Sequence, residues 1–199
     1  MTDWNAMSDD AFREEVRRFY AEHYPAHLRN VIGYLTWEEQ RDWYRVLHEK
    51  GWAAPSWPRE HGGMGLDPGK LLIYHGERMD AARGPDFGGT VMLGPVLMKF
   101  GTQAQKDAYL PKILCAEHLW AQGYSEPGSG SDLAALRTEA VLDGDEFVVN
   151  GQKIWTTWAL DCNHIFALVR TDKTVKKQEG ISFLLIDLKS RGITVRGIR

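Results

Sequence analysis

Apolar positions recur with two different periods along the chain, and the change falls near residue 118. Before it the spacing is helical. Phe12, Val16, Phe19 and Tyr20 stand at i, i+4, i+7 and i+8 behind Ser8 and Asp9 as capping residues, and Pro25 limits this helix. Thr36 with Glu39 forms a capping box for a second helix, whose apolar side carries Trp43, Val46 and Leu47 and which Gly51 ends. Residues 54–66 are rich in Pro and Gly and read as a long loop. Asp67-Pro68 starts a third helix, bearing Leu71, Leu72 and Met79, that stops before Gly84-Pro85. Residues 87–100 are almost uncharged and predict a buried helix, bent at Gly94-Pro95. Thr102 with Gln105 is another capping box and opens a fifth helix that runs to about residue 117.

After His118 the period falls towards two. Strands are predicted at 119–125, 137–142, 146–149, 153–157, 165–170, 181–187 and 193–198. Asp143-Gly144 and Asn150-Gly151 are hairpin signals, the second the stronger. The strands are joined by short turns without crossover helices, which predicts an antiparallel sheet. The fold class is therefore α+β with two domains: an all-α domain over 1–117, then an antiparallel β-barrel or sandwich over 118–199. The last strand runs into Arg199, so the β-domain is expected to be incomplete, closed by another chain or continued in a longer one.

Composition narrows the function classes. Hydrophobic residues make up 43% and charged residues 26%, which excludes a disordered chain. A net charge of −3 leaves no electrostatic footprint for nucleic acid. No apolar run has the roughly 18–20 residues of a membrane span. The acidic start, MTDWNAMSDD, lacks a secretory pattern, and two cysteines cannot form a disulfide framework, so the expected location is the cytoplasm. Eight Trp, seven Tyr and seven Phe fit either ordinary aromatic packing or a flat cofactor site.

Two stretches could carry chemistry. Gln122-Gly123-Tyr124-Ser125-Glu126-Pro127-Gly128-Ser129-Gly130-Ser131-Asp132 follows a strand, and its Gly and Ser residues would let backbone N–H groups approach a phosphate; a surface loop is the alternative. It is not a Rossmann fingerprint, because the spacing fails at Leu133 and no βαβ pattern surrounds it. Lys153-Ile154-Trp155-Thr156-Thr157-Trp158 reads as a strand, with Trp155 and Thr157 on one face and Thr156 and Trp158 on the other. It would line a flat heteroaromatic ring and offer it a hydroxyl, or be an aromatic strand in a core. His23 and His27 straddle Pro25 and make a poor metal site, and no metal is expected. No Gly-x-Ser-x-Gly elbow is present, and neither Cys115 nor Cys162 has a neighbour that would activate a thiol.

Together the two stretches resemble the acyl-CoA dehydrogenase family of flavoproteins. Tyr124 to Asp132 is similar to the signature in which Thr or Ser precedes Glu-Pro-x-x-Gly-Ser-Asp. The spaced residues Gly144, Asp145, Asn150, Gly151, Lys153, Trp155 and Thr157 continue the likeness, as does Arg170-Thr171-Asp172. Upstream, Trp57-Pro58 with Gly62, Gly63 and Gly65, and Gly101-Thr102 with Gln105, Lys106, Tyr109, Leu110 and Pro111, match as well.

The resemblance implies an FAD-dependent α,β-dehydrogenation of an acyl-CoA thioester to a trans-2-enoyl-CoA. It implies that Gln122, Gly123, Tyr124 and Ser125 meet the flavin ring edge and that Gly130 and Ser131 lie at the FAD and phosphopantetheine region, Ser131 also touching substrate. It places Trp155, Thr156 and Thr157 about the isoalloxazine, with the Thr157 hydroxyl near N5, where a donor stabilises the charge that develops. The family's glutamate base belongs to a C-terminal domain that these residues do not include, so no catalytic residue is expected in this chain and none is expected to turn over alone. Glu126 is expected to cap backbone within the turn. Trp158 departs from the pattern, which commonly has Asn there. An electron-transfer flavoprotein or similar acceptor and a homo- or hetero-oligomeric assembly are the implied partners. The alternatives are a non-catalytic flavin- and acyl-CoA-binding subunit completed by a partner chain, and an acyl-CoA oxidase or flavin monooxygenase of similar architecture.

Overall fold

The computed structural model describes residues 2–82 and 88–198. The chain divides into two compact units, one of Met1–Asp86 with Thr90–Glu117, the other of Phe87–Gly89 with His118–Arg199. The first is helical. The Ser8 hydroxyl accepts from the Ala11 N–H and starts α1 (Asp9–His23), which buries Phe12, Val16, Phe19 and Tyr20 as their spacing predicts. Both halves of the Thr36–Glu39 capping box form at the head of α2 (Trp37–Lys50), and Gly51 ends it in the left-handed conformation, φ 79°. Trp43, Trp52 and Trp57 are each 1% exposed, so most of the aromatic excess in this unit is core.

The third helix, α3 (Pro68–Ala81), starts at Asp67-Pro68 as expected, and of Leu71, Leu72 and Met79 only Leu71 packs on the core. Lys70, Tyr74 and Glu77 point inward, while Leu72 and Met79 are 76% and 78% exposed. The reason lies on α1, which presents Asp9, Arg13 and Arg17 to it. Lys70 pairs with Asp9 at 2.5 Å, and Glu77 accepts from Arg13 at 2.9 Å and Arg17 at 2.5 Å. The predicted stop at Gly84-Pro85 and the start at Phe87 lie outside the described residues. A π-helical turn at Gly89–Leu93 then leads into α4 (Gly94–Phe100). This segment buries one face, not its whole circumference: Thr90, Leu93 and Leu97 are inside, Val91 and Phe100 outside. A Cβ on Gly94 would stand 2.0 Å from the Trp57 ring, whose N–H donates to the Thr90 carbonyl at 2.8 Å, so the helix seats directly on that indole. The second capping box, Thr102 with Gln105, opens α5 (Gln103–Leu114).

The second unit holds a five-stranded sheet: β1 (Trp120–Gly123), β2 (Glu139–Asp143), β3 (Glu146–Asn150), β4 (His164–Arg170) and β5 (Ile181–Asp187). β4 is its centre. It pairs antiparallel with β5 along its whole length, parallel with β1 over 164–167, and with β2 at Arg170. The sheet is therefore mixed, not antiparallel throughout. A parallel pair needs a long connection, and here the β2–β3 hairpin with its flanking turns supplies it where a helix usually would. The Asp143-Gly144 hairpin forms, with Gly144 at φ 61°.

Three strand expectations fail. Asn150-Gly151 makes no hairpin; the chain instead passes so close to Thr138 that a Cβ on Gly151 would sit 2.6 Å from the Thr138 Cα. Residues 153–157 are irregular, with a bend at Trp155 and a turn that begins at Thr157, and 193–198 run on with no ladder partner among the described residues.

Candidate functional site

The site is built where β1 ends. Gly123 lies so close to β4 that a Cβ would meet the Ile165 side chain at 2.7 Å. Beyond it the chain folds into a tight turn, with Glu126 N–H donating to Ser129 O at 2.7 Å and Ser129 N–H returning to Glu126 O at 3.0 Å. The buried Ser129 hydroxyl donates to the Asp132 carbonyl at 2.7 Å. The Gly-Ser stretch is thus a built turn. Gly128 and Gly130 have nothing within 4 Å of where a Cβ would be, which leaves their backbone open to a ligand, and Ser131 is exposed beside them.

Glu126 is buried and is the hub of this turn. Its carboxylate accepts from the Arg137 N–H at 2.6 Å, the Thr138 N–H at 2.9 Å and the Lys153 ammonium at 2.8 Å. Burial alone raises its pKa, but Lys153 and the two N–H groups outweigh burial and hold it down to about 2. Lys153 itself is pulled below its ordinary value by burial, with Glu126 working against that. Glu126 caps backbone, but at Arg137 and Thr138, 11 and 12 residues on, not within its own turn as expected, and it is joined by an ion pair that its local sequence did not reveal. Fully engaged, it is no free base.

Lys153 also donates to the Tyr124 carbonyl at 3.1 Å, and the Ile154 N–H to Ser125 O at 2.9 Å. These bonds bring 124–126 and 153–154 side by side, although 27 residues separate Lys153 from Glu126. Past Ile154 the backbone turns through two left-handed tryptophans, Trp155 at φ 59° and Trp158 at φ 68°. Bulky side chains rarely adopt this region, at a cost of about 1–3 kcal/mol each. Turn bonds maintain it: Thr157 N–H to Trp155 O at 3.0 Å, Ala159 N–H to Thr156 O at 3.2 Å, Cys162 N–H to Trp158 O at 3.0 Å. The Trp155 side of the loop faces out, the residue 71% exposed, with Thr157 exposed and Thr156 half-buried. The two-faced alternation expected of 155–158 does not apply, because the segment is no strand.

Arg170 has a structural role beside the site that the sequence did not disclose. Buried, it donates to the Ala134 carbonyl at 2.6 Å, to that of Leu136 at 3.4 Å and to that of Lys177. It thereby joins the segment after Ser131 to the β4–β5 loop. A cavity of about 530 Å³ opens there, lined by Ala134–Arg137, Arg170, Asp172, Lys173, Val175 and Lys177. Its signal in the sequence was the Arg170-Thr171-Asp172 likeness. Among the described residues no group of three His, Cys, Asp or Glu could hold a metal ion. Cys115 and Cys162 are both free thiols, and burial pushes the second up to about 12.

Comparison with known proteins gives a consistent picture. Residues 7–117 match the model of the acyl-CoA dehydrogenase N-terminal domain and residues 121–199 that of its middle domain. The acyl-CoA dehydrogenase IpdE1 of Mycobacterium tuberculosis is 39% identical over 198 residues, 95% of this chain and 51% of that protein. The Tcur3481-Tcur3483 steroid ACAD aligns over 92% of this chain and 48% of its own, with a TM-score of 0.83 and 37% identity. The ChsE4-ChsE5 complex from Mycobacterium tuberculosis aligns over 92% and 47%, with a TM-score of 0.82 and 36% identity. The chain spans about half the length of the relatives it matches.

Proposed function

The chain belongs to the acyl-CoA dehydrogenase family, and from that premise we propose that its second unit forms the flavin- and acyl-CoA-facing part of an FAD-dependent enzyme that desaturates an acyl-CoA between Cα and Cβ. One observation carries the reading. A tryptophan is held at φ 59° with 71% of its surface uncovered, its loop anchored by a buried ion pair to a Gly-Ser turn with open backbone. A strained, exposed aromatic beside hydroxyl and amide donors fits a flat, polar-edged ring. The donor set fits FAD: Gln122, Gly123, Tyr124 and Ser125 at the ring edge, Trp155 with Thr156 and Thr157 about the ring, and Gly130 and Ser131 toward the phosphates. The flavin, when bound, supplies the hydride acceptor. Of these residues, the Thr157 hydroxyl is assigned to donate toward N5 and Trp155 to exclude water from one ring face.

The basic cavity beside Arg137, Lys173 and Lys177 suits the anionic nucleotide end of the thioester, and Ser131 is assigned to the acyl-CoA by the family likeness. Glu126 is committed to Lys153 and two amides, so no base is assigned within these residues and turnover by them alone is not expected. Reoxidation is assigned to an electron-transfer flavoprotein or a similar acceptor, and two free thiols favour a reducing compartment such as the cytoplasm. No described helix is long and apolar enough to cross a membrane. The likeness to a steroid ACAD makes a bulky-ring acyl-CoA the substrate class to try first. The experiment is titration with FAD, followed by tryptophan emission and flavin absorbance. Saturable quenching that Trp155→Ala largely removes is the expected result; emission indifferent to FAD at every concentration overturns the reading.

A second reading, a subunit completed by a partner chain, is favoured by the two-protein ChsE4-ChsE5 neighbour and by the open hairpin residues Val141, Leu142, Phe147 and Val148, all at least 46% exposed. Sedimentation of the chain alone and after coexpression with a candidate subunit separates the two.

A further inference from the structure

We propose that Glu126 and Lys153 are positioning residues: their buried ion pair clamps the 153–162 loop in its left-handed form, so that the Trp155 indole is presented outward before any cofactor arrives. The inference rests on the flavin reading for its purpose, but the clamp stands on geometry alone. Lys153 binds at one point the Glu126 carboxylate and the Tyr124 carbonyl, 2.8 and 3.1 Å away. The next residue is fastened to Ser125 through its own N–H. The backbone is then forced through φ 59° within two residues of this anchor. Left-handed tryptophan persists only where its surroundings over-determine it. Trp155 itself, largely in the open, contributes little to that. The turn bond from Thr157 takes the Trp155 carbonyl and those from Ala159 and Cys162 lie beyond it; they hold the turn but none reaches back to where the loop begins. The fixed point is Lys153.

The pair is also little exposed, its side chains being 10% and 6% exposed, with Glu126 bordering a cavity of about 200 Å³. An anchor with so little of its surface in bulk water holds its geometry more firmly than a surface pair, which is what a preformed ring-binding surface needs. A ligand that finds its surface already shaped loses less affinity to ordering the loop.

The test is hydrogen exchange on the parent chain, Glu126→Gln and Lys153→Met, with FAD titration of each. The glutamine substitution keeps an acceptor for one of the two amides and weakens the clamp; the methionine substitution removes it. The Ile154, Thr157 and Ala159 amides are expected to exchange faster in the order parent, E126Q, K153M, by at least about tenfold at the end of the series, with β4 and β5 little changed. FAD affinity and the quenching of tryptophan emission should fall in the same order. Should K153M not fold, E126Q against the parent decides. Faster exchange spread evenly over β1, β4 and β5 overturns the proposal in favour of a merely structural pair, as does an unchanged loop in both variants. Equal FAD affinity despite a loosened loop overturns it too. A parent chain that takes up no FAD sinks the flavin reading, while the exchange pattern still accepts or rejects the clamp.

Discussion

Each unit buries a lysine against a carboxylate, and the two pairs differ in what surrounds the acid. Lys70, on α3, has a side chain 5% exposed, yet its partner Asp9 is 72% exposed. Its stem lies against Phe12, with the ammonium 5.7 Å from that ring centre, and its charge emerges beside a carboxylate in water. Lys153 and Glu126 are 10% and 6% exposed, and the acid has two backbone N–H groups as well. The first is a strap across the surface of two helices. The second is a closed junction of three chain segments. How costly a buried charge is to disturb depends less on its own burial than on whether its counter-ion can fall back on water.

The largest effect should therefore come from Lys153→Met. It leaves the Glu126 carboxylate buried with two amides and no cation, and the expected loss is about 3–5 kcal/mol in the sheet unit. Urea unfolding followed by exchange of β4 and β5 amides measures it, because a two-unit chain need not unfold in one step. A loss below about 1 kcal/mol would make this junction no different from a surface pair.

Acid probes the same junction without mutation. Glu126 has a folded pKa of about 2 against an ordinary 4.5. Below 4.5 the unfolded chain takes up a proton that the folded chain refuses. The stabilisation is thus complete above pH 4.5 and is lost as pH falls through about 2, on the order of 3 kcal/mol over that span. An acid titration of the parent against Glu126→Gln isolates it. Identical acid midpoints in the two would remove Glu126 as the source.

Removing both charges should be milder than removing one. In Glu126→Gln with Lys153→Met, the amide oxygen keeps one of the Arg137 and Thr138 N–H groups, the other faces the amide NH2, and no ion is left buried. The expected loss is about 1–2 kcal/mol. A double variant weaker than Lys153→Met alone would show that the pair's attraction, not the stranded charge, dominates.

The same contrast explains what the sequence could be made to tell. The caps at Ser8, Thr36, Asp67 and Thr102 and the buried face of α1 were legible because each is decided within four residues. The buried face of α3 was not, because Leu72 and Met79 lost to Lys70 and Glu77 only through charges on α1, some 60 residues away. The 153–157 segment has the alternation of a strand, and Asn150-Gly151 the residues of a hairpin turn, but the long-range pull of Glu126 on Lys153 and the close pass of Gly151 by Thr138 redirect both. The parallel β1–β4 pairing was hidden because a hairpin did a helix's job. For the site, the resemblance supplied the residues proposed to face the flavin and said nothing of the anchor. Glu126 and Lys153 stood within its motifs, but only the fold reveals that they meet.

The smallest effect expected is that of Lys70→Met. Methionine can follow the lysine stem over Phe12, so the packing is kept. The Asp9 carboxyl, held below its ordinary value chiefly by its hydrogen bond from Lys70, would drift back toward it, but it does so in solvent, where a lone carboxylate carries no desolvation penalty. Salt should weaken the parent pair for the same reason, since water and ions reach Asp9 directly. The urea midpoint of the helical unit, read from Trp43 and Trp52 emission, should hardly separate from the parent, and should separate less still at high salt. A loss of the size expected for Lys153→Met would mean that the ammonium of Lys70 is as enclosed as that of Lys153, and that an exposed counter-ion does not by itself make a buried charge cheap to remove.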